Sequence, residues 1–443
     1  RALGVGTFAV LMASGAVVAA ADRQQRTPYH LGVAVLATLL LATVFVRDAD
    51  WVVVLCVLAA FGILSATLVG SRTLAGIVLA AVAVPLAGLR GLPWLGRSLS
   101  VNRPGRHWLP AVRTLGISAL LVLVFGVLFA SADALFASWV GVVVPDLSFD
   151  TAFLRAAVLV FVAGVTLAGA YLALNPMRTA VVDVPAGRPV RRTWEWLVPV
   201  GLVVAVFALF VAAQLTVMFG GHAYLHRTTG LTYAEYVHQG FWQLNVTTVL
   251  TLAVVGVAAR HARRGTARER LLLRLGLGAL CALAIVVVAS ALYRMDVYEQ
   301  AYGFTRLRLL VSVFEGWLGL VLLLVVAAGV RLRGHWLPRT VMLSAAVTLL
   351  GLALANPDAM IAGHNLDRYQ ASGRVDTGYL GGLSADAVPT LAAAGTELSC
   401  MTAARPHADD WLEWNLGRSL ADHRSGNRRD VPTLDLCAPS TGP

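Results

Sequence analysis

The feature that most constrains this chain is a series of apolar runs, each close to the twenty residues that a helix needs to cross a bilayer. Of its 443 residues, 58% are hydrophobic and 13% are charged, and the mean hydropathy is +0.73. An ordinary soluble domain carries many more charged residues, and a transmembrane β-barrel would show short alternating segments instead. The pattern therefore predicts an all-α, polytopic helical membrane bundle.

We expect about eleven transmembrane helices from the length of these runs. This predicts an N-terminal four-helix membrane region over 1–114, a core membrane bundle with structured outer loops over 115–355, and a small helical tail over 356–443. The sequence Asn356-Pro357-Asp358 is a typical helix start for the tail. The predicted spans are Leu3–Ala21, Leu31–Val46, Trp51–Gly70, Thr73–Leu89, Leu115–Ser131, Leu154–Leu174, Trp196–Gly220, Phe241–Ala259, Leu275–Leu292, Leu307–Val330 and Thr340–Ala355.

Positive charge is concentrated in alternate loops. The net charge is +11, and arginines cluster in loops 90–113, 178–192, 260–274 and 331–339. Basic loops stay in the cytoplasm, so an odd number of helices predicts a cytoplasmic N-terminus, a first outer loop at Asp22–His30 and an extracytoplasmic tail in the bacterial cell membrane. Since orientation in the membrane explains the basic charge, we expect membrane lipids as partners and no nucleic acid.

The stretch Tyr293–Glu315 carries ionisable groups next to apolar runs, where such groups usually have partners or a function. Arg294, Tyr298 and Tyr302 repeat every four residues on one helical face. Three interpretations remain open for the charges of this stretch. They are an internal ion pair between Arg308 and Glu315, an N-cap at Asp296 with Glu299 at its third position, and an anion or lipid-headgroup site formed by Arg294, Arg306 and Arg308.

Polar residues on neighbouring predicted helices fall at a similar depth. Interhelical hydrogen bonds would explain them, but their clustering predicts an outward-open polar cavity, roofed by the loop 221–240 and the tail. Arginines beside tyrosines suit a ligand with an anionic head and an apolar body, such as a lipid or a lipid-linked precursor. The candidate lining residues are Gln214, Gln243, Asn245, Arg294, Tyr298, Glu299, Tyr302, Arg308 and Glu315.

Histidines and cysteines add two weaker signals. His222, His226 and His238 are candidate metal ligands, but their spacing is loose and interface positions explain them, so we predict no metal and identify no cofactor. Cys400 and Cys437 lie together in the tail. In an oxidising compartment they are predicted to form a disulfide.

Three stretches carry a resemblance to a known family, and they are GLTYAEYVHQGFWQL (230–244), LYRMDVYEQAYGFTRLRL (292–309) and NPDAMIAGHNLDRY (356–369) followed by LSADAVPTL (383–391). The chain resembles a bacterial multi-pass membrane family catalogued only as a domain of unknown function, in the four-thousand-one-hundred-and-seventies series and common in actinobacteria. The resemblance implies membrane topology and envelope location, and it implies no activity.

Two classes of function therefore remain. One is a transporter or enzyme that acts on an anionic, lipid-like or lipid-linked envelope molecule in the outward cavity. The alternative is a non-catalytic scaffold or sensor that docks a membrane protein partner through its outer loops and tail.

Overall fold

The structure is a computed structural model that describes residues 3–22, 27–81, 150–175, 192–229, 241–393 and 409–425, with isolated helical positions at 87, 114 and 118. Within these ranges, the side chains of 150–157, 215–229, 241–242 and 424–425 are not described. Every regular element in the described ranges is helical, which confirms the predicted all-α class.

The longer helices, numbered in chain order, are α1 Val5–Ala21, α2 Pro28–Val46, α3 Asp50–Leu68, α4 Asp150–Leu174, α5 Trp194–Thr229, α6 Phe241–His261, α7 Ala267–Tyr302, α8 Arg306–Arg331 and α9 Leu337–Leu354. Seven described helices are long and apolar enough to cross a membrane, namely α2, α3 and α5 to α9. A multi-pass membrane protein is therefore supported. The predicted span Leu115–Ser131 lies outside the described ranges, and about eleven spans remains a prediction.

Two helices extend well beyond their predicted ends. Helix α5 continues through the first half of the predicted loop 221–240 to Thr229, and α7 reaches Tyr302. Helix α7 begins with Thr266, whose hydroxyl accepts from the Glu269 amide at 3.1 Å, and it ends at Gly303 with φ +84°. Asp296 therefore lies inside a helix, where it accepts from Gln300 at 2.9 Å, and its predicted N-cap role is wrong.

The described contacts divide the chain into two compact units, one formed by 1–11, 26–78 and 179–443, and the other by 12–25 and 79–178. In the first unit, α5 to α8 surround an apolar core that includes Trp196, Leu273, Leu280 and Leu322. In the second unit, Gly169 allows close approach of Val18, because a Cβ at Gly169 would lie 2.9 Å from a Val18 methyl group.

The helices of the first unit have two opposite ends. At the end that we call the basic end, the loops after α6 and α8 carry arginines, and Arg339 donates to the Ser71 carbonyl at 3.1 Å and stacks over Tyr29 at 4.7 Å. The opposite, capped end carries the α2–α3 turn (47–49) and the α7–α8 turn (303–305). It is covered by the cap, residues 357–393 and 409–425.

The cap consists of short helices: α10 Pro357–Ser372, α11 Thr377–Gly381, a 3₁₀ turn Ala385–Ala387, α12 Val388–Ala393 and α13 Leu416–Ser425. Asn356 caps α10, as the sequence predicted, by accepting from the Ala359 amide at 3.4 Å. Ile361, Leu380, Leu383 and Leu391 form a small buried core. The cap has few apolar residues of its own. Phe304 and Leu309 of the α7–α8 region pack against this small core, and polar contacts with the membrane helices add to its attachment.

Charge-assisted hydrogen bonds join the cap to the α2–α3 turn. Asp48 accepts from Arg418 at 2.8 Å and from the Ala385 amide at 2.9 Å. Asp386 accepts from the backbone amides of Asp48 and Ala49 at 2.8 and 2.9 Å. Such bonds are about twice as strong as neutral ones, and they fix the position of the cap on the bundle.

The start of the chain also lies at the capped end. Val5 donates to the Trp414 carbonyl at 3.2 Å, Gly6 donates to the Leu412 carbonyl at 2.7 Å, and Arg418 donates to the Leu3 carbonyl at 2.9 Å. Residues 3–6 and the cap therefore lie at the same end of the first unit, whereas the predicted odd number of crossings placed them at opposite ends. Tyr29, in the predicted outer loop Asp22–His30, lies at the basic end with Arg339, and the side of the membrane on which this loop lies remains a prediction. Hydropathy locates apolar runs but does not show how many of them cross.

Candidate functional site

The most unusual side chain of the described bundle is Glu315, on the third turn of α8. It is 0% exposed, and neither carboxyl oxygen has a hydrogen-bond partner among the described residues. The buried hydroxyl of Ser312, one turn away, also has none. Glu315 shares a face of α8 with Leu318 and Leu322, and Leu322 belongs to the core built with α7. The carboxyl therefore lies inside the bundle, where a single charge is costly.

Asp358, at the start of α10, is equally buried but fully partnered. It accepts hydrogen bonds from Trp51 at 3.0 Å, from Arg306 at 3.0 Å and from the Ser384 amide at 2.8 Å. Burial acts to raise the pKa of Asp358, but these hydrogen bonds outweigh it and hold the pKa below its usual range. This protein therefore satisfies one buried carboxylate completely, whereas the described residues leave Glu315 without a partner.

Arg308 does not pair with Glu315. Its guanidinium donates to the carbonyls of Tyr302, at 3.2 Å, and Gly303, and it lies 4.5 Å from the centre of the Tyr298 ring. A spacing of seven residues places two side chains on one helical face but about 10 Å apart along it. The predicted ion pair is therefore wrong, and Arg308 instead satisfies the last carbonyls of α7.

Four residues form what we call the polar cluster, at the capped ends of α7 and α8: Tyr298, Glu299, Tyr302 and Arg308. The rings of Tyr298 and Tyr302 lie 4.7 Å apart, as their spacing predicted. Glu299 is buried, one of its oxygens has no hydrogen-bond partner in the described chain, and Arg308 and His364 lie within electrostatic range of it. Tyr302 is 53% exposed, so the cluster reaches the surface of the bundle.

The other predicted site residues are more dispersed. Gln214 accepts from Ser290, which links α5 to α7, and Asn245 and Arg294 are buried on α6 and α7. Gln243 is exposed and is not brought into the cluster. Arg306 is held by Asp358, so a common anion site of Arg294, Arg306 and Arg308 is wrong.

A family model described as Domain of unknown function (DUF4153) matches residues 34–394. The chain belongs to the DUF4153 family. The match runs from α2 to the end of α12, so it includes Glu315, Asp358 and the polar cluster. The expected number series was wrong, and the match gives no support for an actinobacterial source. No curated protein and no solved structure matches the chain.

Sequence reasoning missed one member of the site in the DUF4153 region, Ser290, which lies inside an apolar run and gave no signal of its own. Ser312 was recognisable from its spacing, because it lies between Arg308 and Glu315 on one face of the helix. The two serines extend the polar groups from the cluster towards the middle of α7 and α8.

The metal and disulfide predictions for this DUF4153 chain remain predictions. His238, Cys400 and Cys437 lie outside the described residues, and the side chains of His222 and His226 are not described. Within the described ranges, no group of three His, Cys, Asp or Glu side chains is placed to hold a metal ion. The two described cysteines, Cys56 and Cys281, are free and buried.

Proposed function

We propose that this DUF4153 protein binds an anionic, lipid-like or lipid-linked envelope molecule at the capped end of its helix bundle and transports or modifies it. The observation that carries the proposal is the carboxyl group of Glu315, which has no partner among the residues that the structure describes. A charged group in the middle of a membrane helix costs about 2.5–3.5 kcal/mol. A purely structural bundle would pair this carboxyl, as Asp358 is paired, or would hold an apolar residue there.

The polar cluster supplies groups that suit the two parts of such a ligand. The Arg308 contacts use its two Nη groups and leave its Nε–H without a described partner, so the guanidinium retains a donor for an anionic oxygen. The faces of Tyr298 and Tyr302 offer apolar surface beside it. The ligand's head would then lie at the surface of the bundle, and Glu299, Ser312 and Glu315 would continue the polar groups inward.

We also propose a cell-membrane location with the basic end in the cytoplasm and the cap outside. The loops at the basic end support this, because they are short and rich in arginine and therefore resist translocation. Together with the adjoining helix ends, these loops include Arg260, Arg263, Arg264, Arg268, Arg270, Arg331, Arg333 and Arg339.

A second candidate function is the docking of a membrane protein partner through the cap. Trp411 is 77% exposed, and Leu420 is exposed on α13 of the same segment. Large exposed apolar side chains on a small polar domain are typical of an interaction surface. This role needs no ligand in the bundle and leaves Glu315 unexplained, so we place it second.

The variant Glu315→Gln separates the two functions. The amide has nearly the same volume and no charge, so we expect the melting temperature to stay the same or to rise. Mass spectrometry of lipids that co-purify with the full chain should then show an altered set of bound species. Glu195→Gln, an exposed glutamate at the basic end, is the matched control and should leave both measurements unchanged. A lower melting temperature with an unchanged lipid set would favour the docking role.

A further inference from the structure

A separate cavity opens at the basic half of the first unit. It has a volume of about 650 Å³ and lies among α6, α7, α8 and α9. Along α8 its lining runs from Trp317 to Val330, which corresponds to about 20 Å of helix. The cavity thus extends from the basic end towards the middle of the bundle, and its lining includes no member of the polar cluster.

The cavity wall is apolar except for two arginines. Leucine, valine, alanine and glycine side chains predominate, and Trp317 is satisfied by its hydrogen bond to Ser344 at 3.1 Å. Arg264 and Arg274 are the charged members of the described lining, and no acid accompanies them. An apolar cavity with an uncompensated positive rim favours an apolar ligand with an anionic head.

Of the two arginines, Arg274 gives the stronger argument for a bound anion. It lies two turns inside α7, and no hydrogen bond or ion pair in the described chain involves it. Its neighbour Arg270 is engaged by the carbonyls of Arg264 and Gly265, and Arg263 is paired with Glu269 at 3.6 Å. Arg274 is exposed about two turns inside α7, where its charge lies close to hydrocarbon and an anionic group would stabilise it.

We propose that this cavity is a binding site for an anionic phospholipid of the membrane leaflet at the basic end. One acyl chain lies against the apolar wall, and the phosphate accepts hydrogen bonds from Arg274 and Arg264. Planar guanidinium groups suit phosphate oxygens in this way. The site is independent of the proposed function, because it uses different residues at the opposite ends of α7 and α8.

The test uses the full chain in phosphatidylcholine nanodiscs that contain a tail-spin-labelled lipid, either phosphatidylglycerol or phosphatidylcholine. Electron paramagnetic resonance measures the immobilised fraction of each. We expect wild-type protein to prefer the phosphatidylglycerol probe. Each of Arg264→Gln and Arg274→Gln should lower that preference about tenfold, because each removes a charge-assisted hydrogen bond to the phosphate. Arg274→Lys should retain most of it.

Two controls make the outcome specific. Arg268→Gln removes the same charge at the same end of the bundle but outside the cavity, and it should keep the wild-type preference. Gly278→Leu fills the cavity, since a Cβ at Gly278 meets nothing within 4 Å, and it should remove the site's immobilised component. A Cβ at Gly201 also meets nothing within 4 Å, but Gly201 lies outside the lining, so Gly201→Leu should leave the immobilised component unchanged. Equal losses in Arg268→Gln and Arg274→Gln, or unchanged lipid immobilisation in Gly278→Leu, would overturn the proposal.

Discussion

At the scale of single residues, the protein contains two buried acids with opposite surroundings. Asp358 is held by Arg306, Trp51 and the Ser384 amide, whereas Glu315 has no described partner. Removing one member of a buried pair leaves the other charge uncompensated, and removing an isolated one leaves nothing unpaired. The same acid-to-amide change therefore has opposite consequences at the two positions.

Asp358 makes the cap sensitive to acid. Its pKa in the folded protein lies below the ordinary value of about 3.9, so the stability it contributes is present above pH ~4 and is lost as the pH falls through the folded-state value. Burial raises the pKa of Asp386, although hydrogen bonds from the Ala49 and Asp48 amides act in the other direction. The contribution of Asp386 to the pH dependence of stability therefore has the opposite sign to that of Asp358. Limited proteolysis of the cap across this pH range should show faster cleavage below pH ~4.

The matched variants are Asp358→Asn and Asp367→Asn, both on α10. Asp358→Asn should destabilise the attachment of the cap by about 3 kcal/mol. This value is at the lower end for a buried pair, because the Arg306 side chain is still a third exposed. The variant should also lose the acid limb, by which we mean the increase in proteolysis below pH ~4. The second changes an exposed aspartate and should behave as wild type. An acid limb that persists in Asp358→Asn would assign the effect to another group.

At the scale of elements, apolar runs bounded by charge gave accurate helices. Helix α8 was predicted at Leu307–Val330 and found at Arg306–Arg331. The errors at α5 and α7 arose because hydropathy marks the end of an apolar run, whereas a helix ends where its backbone is capped. The i, i+4 contact of Tyr298 with Tyr302 was predictable for the same local reason. The partners of Arg306 and Arg308 were not, because Asp358 lies 52 residues beyond Arg306 and the Arg308 acceptors are backbone carbonyls.

The α7–α8 turn depends on Gly303 and Asn365. Gly303 has φ +84°, and a Cβ there would lie 2.5 Å from the Asn365 amide oxygen, which accepts from the Phe304 amide at 3.0 Å. Gly303→Ala therefore combines backbone strain with a clash, and we expect a loss of about 2–3 kcal/mol. Gly373→Ala has similar strain, at φ +67°, but open space around the new Cβ, and it should cost about 1 kcal/mol. Chemical denaturation measures the loss of stability in both variants. Equal losses would contradict the role that we give to the clash with Asn365.

At the scale of the whole molecule, the positions of the charged loops and the contacts of the cap distinguish the same two ends of the first unit. The arginine-rich loops lie at the basic end, and the cap, the α2–α3 turn and residues 3–6 lie together at the other. This arrangement was predictable from the sequence for the loops around α6 to α9. The sequence analysis placed residues 3–6 opposite the cap, whereas the structure places them beside it, because hydropathy alone does not show which apolar runs cross.

Topology in the cell can be measured with single cysteines and a membrane-impermeant thiol reagent. In a background with Cys400 and Cys437 replaced by serine, Gln370→Cys on the cap should be labelled in intact cells. His335→Cys at the basic end should be labelled after the membrane is permeabilised. Both positions are exposed in the structure. Labelling of the His335→Cys variant in intact cells would reverse the proposed orientation.

The attachment of the cap to the α2–α3 turn also sets an order for biosynthesis. Asp48 and Arg418 are 370 residues apart, and Asn415 reaches back 368 residues to donate to the Arg47 carbonyl at 2.8 Å. Contacts between such distant parts of a chain form late in folding. The α2–α3 turn is therefore synthesised early. Asp48 remains without its Arg418 partner in the nascent protein until the following 370 residues have been translated.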